Sequence, residues 1–229
     1  MNSTSKVVTG KIEVPPHFIQ LGLLVVDGSG SMTEPDSAGM SKAQATDMAI
    51  RDVFTRFKDS SMSQSFSFAV ITYGETTDLR LPITKVGPDL DDTADYNPLQ
   101  GHGRGTNIYA ALEEAEKVAS EFLNQYKVGS VKHSVVIVVM SDGRCSDPQS
   151  TVQVANRIKN RPDQKIKICS VLFETQGRHP DGEALLKQIA TDPNTDYTMV
   201  HDMGTLRDFF IRSVSSMGVR SSVASHGDC

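Results

Sequence analysis

The stretch Leu21–Met32 reads LGLLVVDGSGSM, and its apolar half sets the architecture. Leu23 to Val26 is an unbroken apolar run that stops at Asp27 in a Gly-Ser-Gly turn. A strand that is apolar on both faces belongs in a parallel sheet covered by helices on both sides. A second such run, VVIVVM at Val135–Met140, stops at Ser141-Asp142-Gly143. Phe66–Tyr73 and Lys165–Leu172 add two more strands, and Tyr197–Val200 a short one. The segment TTDLRLPI after Gly74-Glu75 reads as the hairpin partner of Phe66–Tyr73, hence an antiparallel edge strand.

Helical spacing fills the gaps between these strands. Ile50, Val53, Phe54 and Phe57 recur at i, i+3, i+4, i+7 and predict a helix over Ser41–Lys58. Ile108, Ala111, Leu112, Ala115, Ala119 and Phe122 predict another over Asn107–Gln125. Val152, Ala155 and Ile158 mark a shorter one, Glu183–Ala190 a fourth, and Leu206, Phe209, Phe210, Val214 and Met217 a last helix from Thr205. Alternating strands and helices predict an α/β fold: a Rossmann-like, doubly wound, mostly parallel sheet with one antiparallel edge strand, in three α/β/α layers. Residues 1–17 read as an arm, 18–217 as one domain, and 218–229 as a polar, flexible tail.

Composition narrows the function. The chain of 229 residues carries a net charge of −5, which gives no electrostatic footprint for nucleic acid. Three cysteines at irregular spacing, Cys145, Cys169 and Cys229, fit neither a disulfide framework nor a CxxC zinc site. Cys169 sits in an apolar run and is expected to be buried. The first residues have no apolar signal core, and no run has the length of a membrane span. A cytoplasmic protein without membrane insertion is the expectation.

Ligands of open α/β sheets bind beyond the carboxyl ends of the strands. Three segments bring oxygen-bearing side chains to that edge: Asp27, Ser29 and Ser31 after the first strand, Thr106 after the glycine-rich GHGRGTN loop, and Asp142 after Val135–Met140. Two carboxylates and three hydroxyls form an oxygen set suited to a hard dication such as Mg2+, with Mn2+ or Ca2+ as alternatives. With so few carboxylates the ion stays electrophilic and open to a carboxylate from elsewhere.

DGSGSM after an apolar strand, GRGTN before a helix and VVMSDG after another strand together resemble the metal-ion-dependent adhesion site of von Willebrand factor A domains. The resemblance spans Phe18 to Met217 and implies the fold of that family. It implies direct metal contact for Ser29, Ser31 and Thr106, with Asp27 and Asp142 acting chiefly through water. It further implies a protein partner that donates a Glu or Asp carboxylate, with Met32, Gly105, Gly143 and Arg144 flanking the ligands as partner-facing positions. The SGSM start, the SDGRCSD turn and the FFIRSVSS end are similar to bacterial tellurium-resistance TerY-type proteins. That narrower likeness implies an adaptor in a stress-resistance complex with a kinase or phosphatase.

Plainer readings stand beside these. Asp27 and the serines could be turn residues, and Thr106 could merely cap its helix in competition with Asn107. His102 reads as a solvated loop residue and Asp147 as a loop-solvating carboxylate, while the Asp89–Asp95 run could hold a second cation but is more simply solvated. A phosphoryl-transfer or other metal-dependent hydrolase is the enzymatic alternative. Haloacid dehalogenase chemistry, however, needs a second Asp where Ser29 stands, and neither a GxSxG elbow nor a P-loop lysine is present. The expectation is therefore a non-enzymatic module; a scaffold whose metal is only structural is the other alternative.

Overall fold

A computed structural model describes residues 18–103, 105–125, 131–174 and 179–223. The expected arm at 1–17 and Cys229 lie outside the described residues. The strands are β1 (Phe18–Asp27), β2 (Phe66–Tyr73), β3 (Thr77–Lys85), β4 (Lys132–Ser141), β5 (Ile166–Phe173) and β6 (Tyr197–Val200). The helices are α1 (Lys42–Lys58), α2 (Ile108–Gln125), α3 (Pro148–Lys159), α4 (Pro180–Ile189) and α5 (Met203–Val223).

The strands form one sheet in the order β3-β2-β1-β4-β5-β6. Every neighbouring pair is parallel except β2 with the edge strand β3. Alternate residues of β1 explain why its apolar run is continuous. Leu24 and Val26 pack with α1 and α5 on one face, and Leu21, Leu23 and Val25 pack with α2, α3 and α4 on the other. Gly22 sits where α5 comes closest, since a Cβ there would lie 2.7 Å from the Phe68 ring and 3.0 Å from Val214. Beside it the fully buried Gln20 donates its side-chain amide to the backbone carbonyl of Val214.

Local chemistry accounts for the element boundaries. Ser41 starts α1 by accepting from Gln44 N at 3.2 Å. The third helix begins at Pro148, earlier than its apolar spacing suggests, because Asp147 accepts from Ser150 N at 3.0 Å and Pro148 needs no N–H partner. Its buried stripe runs through Thr151, Val154, Ala155 and Ile158, while the expected Val152 is only partly buried. The last helix continues to Val223, beyond Met217 where the tail was expected to begin.

Candidate metal centre

Strand order reverses at β1, which has β2 on one side and β4 on the other. The carboxyl ends of β1 and β4 therefore flank the crevice where doubly wound sheets hold ligands. Asp27 is the last residue of β1, and Asp142 follows the last residue of β4.

Asp27 is fully buried. Its Oδ1 accepts from Ser29 N at 2.8 Å and its Oδ2 from the Ser141 hydroxyl at 2.9 Å. Burial, and next to it the charge of Asp142, pushes this carboxyl up to about 7, although the bonds from Ser29 and Ser141 pull the other way. Two buried carboxylates thus share this locality, and the charge of one raises the pKa of the other. Beyond Asp27 the chain makes a 3-10 turn, Gly30–Thr33, closed by Met32 N donating to Ser29 O at 3.0 Å. That turn brings Ser29 Oγ and Ser31 Oγ within 3.1 Å of one another. Gly28 is needed beneath it, because a Cβ there would fall 2.0 Å from the Pro98 carbonyl oxygen.

Thr106 arrives on the loop before α2 and is joined to the loop after β4. Its N–H donates to Ser146 Oγ at 3.2 Å, and Ser146 N donates to Thr106 O at 2.9 Å. The helix cap belongs to Asn107, whose Oδ1 accepts from Ala110 N at 3.2 Å. The Thr106 hydroxyl makes no hydrogen bond among the described residues. His102 is buried beneath this loop, contrary to the expectation of a solvated residue. Its Nε2 bonds Thr72 Oγ1 at 2.7 Å and its Nδ1 Thr76 Oγ1 at 3.3 Å, and it packs where Cβ atoms on Gly28 or Gly74 would stand. Burial holds its imidazole below the ordinary histidine range.

Asp142 is also buried, and it meets a cation. Lys42 Nζ, from the first residue of α1, lies 3.1 Å from Asp142 Oδ2 and 3.0 Å from Glu34 Oε2. Lys42 is only 2% exposed. Burial pulls its ammonium down, but Asp142 and Glu34 outweigh that cost and raise it overall.

Three of the five expected ligand residues, Ser31, Thr106 and Asp142, line an opening of about 600 Å3 together with Glu34, Arg144 and His179, while Asp27 and Ser29 are buried and do not line it. The donor set suits a hard dication: two carboxylates of one buried locality and three hydroxyls, with no nitrogen or sulfur among them. Among the described residues no group of three or more His, Cys, Asp or Glu side chains is placed to hold a metal ion, so an ion at this rim would depend on the hydroxyls as well as the two carboxylates.

The expected partner-facing positions divide. Arg144 is exposed at the lip of the opening, and Gly105 is partly exposed. Met32 is 0% exposed and packs in the core with α1, because the 3-10 turn points it inward while its neighbours Ser31 and Thr33 stay accessible. It therefore does not face the opening as expected. Gly143 is also buried: its φ is +120°, and a Cβ would meet His179 at 2.8 Å. Asp147 caps α3 instead of solvating a loop, while in the acidic run Asp92 pairs with Lys58 at 2.7 Å.

Periodicity gave no sign of Lys42, Glu34, Ser141 or Ser146, since each acts across the rim and not along its own element. Only the position of Ser141 just before Asp142 hinted at a role.

The sequence matches the von Willebrand factor type A domain family over residues 23–212. The chain belongs to that family. Its members are protein-interaction and adhesion modules, mostly non-enzymatic, and commonly bind a divalent metal. A comparison with curated proteins gives no match. Among solved structures, the fold is similar to the pilus adhesin SpaC of Lactobacillus rhamnosus GG, with TM-score 0.65 and 12% identity over 87% of this chain and 30% of that one. It is also similar to manganese-loaded Plasmodium vivax TRAP, with TM-score 0.56 and 19% identity over 85% and 74% of the two chains. BatB from Bacteroides thetaiotaomicron gives TM-score 0.58 and 16% identity over 87% and 98%. The chain spans less than a third of the length of the SpaC adhesin. Among the described residues, no helix is long and apolar enough to cross a membrane.

Proposed function

We propose that this domain binds one divalent cation, Mg2+ in the cell, through Ser29, Ser31, Thr106, Asp27 and Asp142, and so captures an acidic side chain of a protein partner. The observation that carries this reading is the convergence of two buried carboxylates and three hydroxyls at the reversal of strand order. When bound, the cation supplies a Lewis-acidic position that a Glu or Asp carboxylate completes. The chain's own residues do the rest. Asp27, held by Ser29 and Ser141, is fixed in direction; Ser31 is presented by the 3-10 turn; the Thr106 hydroxyl is free because Asn107 has taken the cap. Arg144, exposed at the lip, attracts an anionic surface toward the opening.

Such a module serves as an adaptor without catalysis of its own. Its likeness to TerY-type proteins favours a cytoplasmic stress-resistance complex, with a kinase or phosphatase as the partner. The test is calorimetric titration of Mg2+ and Mn2+ into chelator-treated protein, wild type beside Asp27→Ala. Binding near one ion per chain that vanishes in the variant supports the reading. Absence of binding in the wild type, with or without a kinase or phosphatase candidate present, would sink it.

A further inference from the structure

Among the described residues lining or backing the rim, Lys42 is a buried cation in contact with a carboxylate of the proposed ligand set, whereas Arg144 is exposed at the lip. A lysine buried to 98% must be paired, and this one is paired with a residue of the proposed ligand set, Asp142, as well as with Glu34. Its position is imposed by the fold. Lys42 opens α1, its N–H donates to Glu34 O at 2.9 Å, and Thr46 Oγ1 donates to the Lys42 carbonyl at 2.8 Å, so the backbone at its base is held on both sides. Glu34 is half exposed on the loop from the serines, while Asp142 faces the crevice, so the ammonium stands between the solvent-side anion and the buried one.

We propose that Lys42 is a built-in counter-cation: it neutralises Asp142 while the site is empty, and it opposes the entering dication once the site fills. The inference rests on the metal-binding reading above. Without metal, two buried carboxylates at one rim repel, and Lys42 offsets that repulsion so that the site keeps its shape. With metal, a fixed positive charge beside Asp142 reduces the anionic charge available to the dication. The domain therefore holds its ion more weakly than the donor set alone would, and the ion retains more of its pull on an outside carboxylate. Metal uptake and partner uptake become mutually reinforcing, because the partner's carboxylate restores the negative charge that Lys42 cancels.

The probe is Mn2+ alone, titrated calorimetrically into chelator-treated wild type, Lys42→Met and Lys42→Arg, with unfolding temperatures measured in chelator. Lys42→Met, which keeps the length and loses the charge, is expected to bind Mn2+ about tenfold or more tightly and to unfold at lower temperature in chelator. Lys42→Arg is expected to stay near the wild type in Mn2+ affinity. Unchanged or weaker Mn2+ affinity in Lys42→Met overturns the proposal, even if stability drops, because a purely structural lysine would lower stability alone. No Mn2+ binding in the wild type overturns the metal reading instead. Should Lys42→Met not fold without metal, Glu34→Gln at the half-exposed partner carries the test. Lys42 then bears on Asp142 alone, Mn2+ affinity falls several-fold, and an unchanged affinity overturns the proposal.

Discussion

Thr106 and Ser146 exchange two hydrogen bonds, Thr106 N to Ser146 Oγ at 3.2 Å and Ser146 N to Thr106 O at 2.9 Å, across forty positions of sequence. The pair ties the loop before α2 to the loop after β4, so the Thr106 hydroxyl and the Asp142 carboxylate are held in one frame. Ser146→Ala removes the acceptor for Thr106 N and keeps the reciprocal bond. Metal affinity is expected to fall roughly tenfold, as for other groups that orient a ligand from behind. Stability in chelator should drop by only about 1 kcal/mol. Calorimetry and thermal melts on the same preparations check both.

Thr106→Val separates ligand from cap. Asn107 already caps α2, so the isosteric change should leave the unfolding temperature in chelator nearly unchanged while Mn2+ affinity falls about tenfold or more. A large loss of stability with intact affinity would mean that Thr106 serves the helix, and the hydroxyl would leave the ligand set.

His102 sets a pH dependence. Its folded pKa lies below the unfolded value because burial disfavours the charged ring, so the unfolded chain binds the extra proton as pH falls. The stability it contributes is present above the unfolded value near 6.5 and is lost as pH falls below it. Asp27 works with the opposite sign: its carboxyl is raised from 3.8 to about 7, so the stability tied to its protonated form is lost as pH rises through about 7. Wild type must therefore be compared with His102→Asn. The stability gap between them should narrow from pH 7.5 to pH 5; a gap that is constant across this range would contradict the assignment.

Gly182 opens the way for α4 to lie against the loop after β4. A Cβ there would stand 1.7 Å from the Gly143 carbonyl oxygen, which is backbone and cannot swing aside. Gly182→Ala should cost about 1–3 kcal/mol in a denaturant titration. It should also weaken Mn2+ binding, because the loop carrying Asp142 must shift.

Much of this was legible in the residues themselves. A strand covered on both faces declares itself by an apolar run, and β1 and β4 did so; β2 and β6 agreed with their expected bounds residue for residue. The placement of Asp27 and Asp142 at one sheet edge was readable because each closes or directly follows the apolar run of a central strand. What remained hidden depends on the third dimension. The inward rotation of Met32 follows from a 3-10 turn that no periodicity announces. The burial of His102 needs two glycines, Gly28 and Gly74, from different strand ends to make room. Lys42 opens an ordinary amphipathic helix, and only the arrival of Asp142, a hundred residues later, gives it a role.

That spacing has a consequence for how the protein is made and watched over. Ser141 meets Asp27 across 114 positions, and β1 acquires its two neighbours only after the chain has passed through most of its length. No fragment that stops short of β4 owns a complete rim. A partner that requires the loaded ion would thus decline nascent, truncated or half-melted chains without inspecting anything else, and the ion would serve as a certificate of completed assembly.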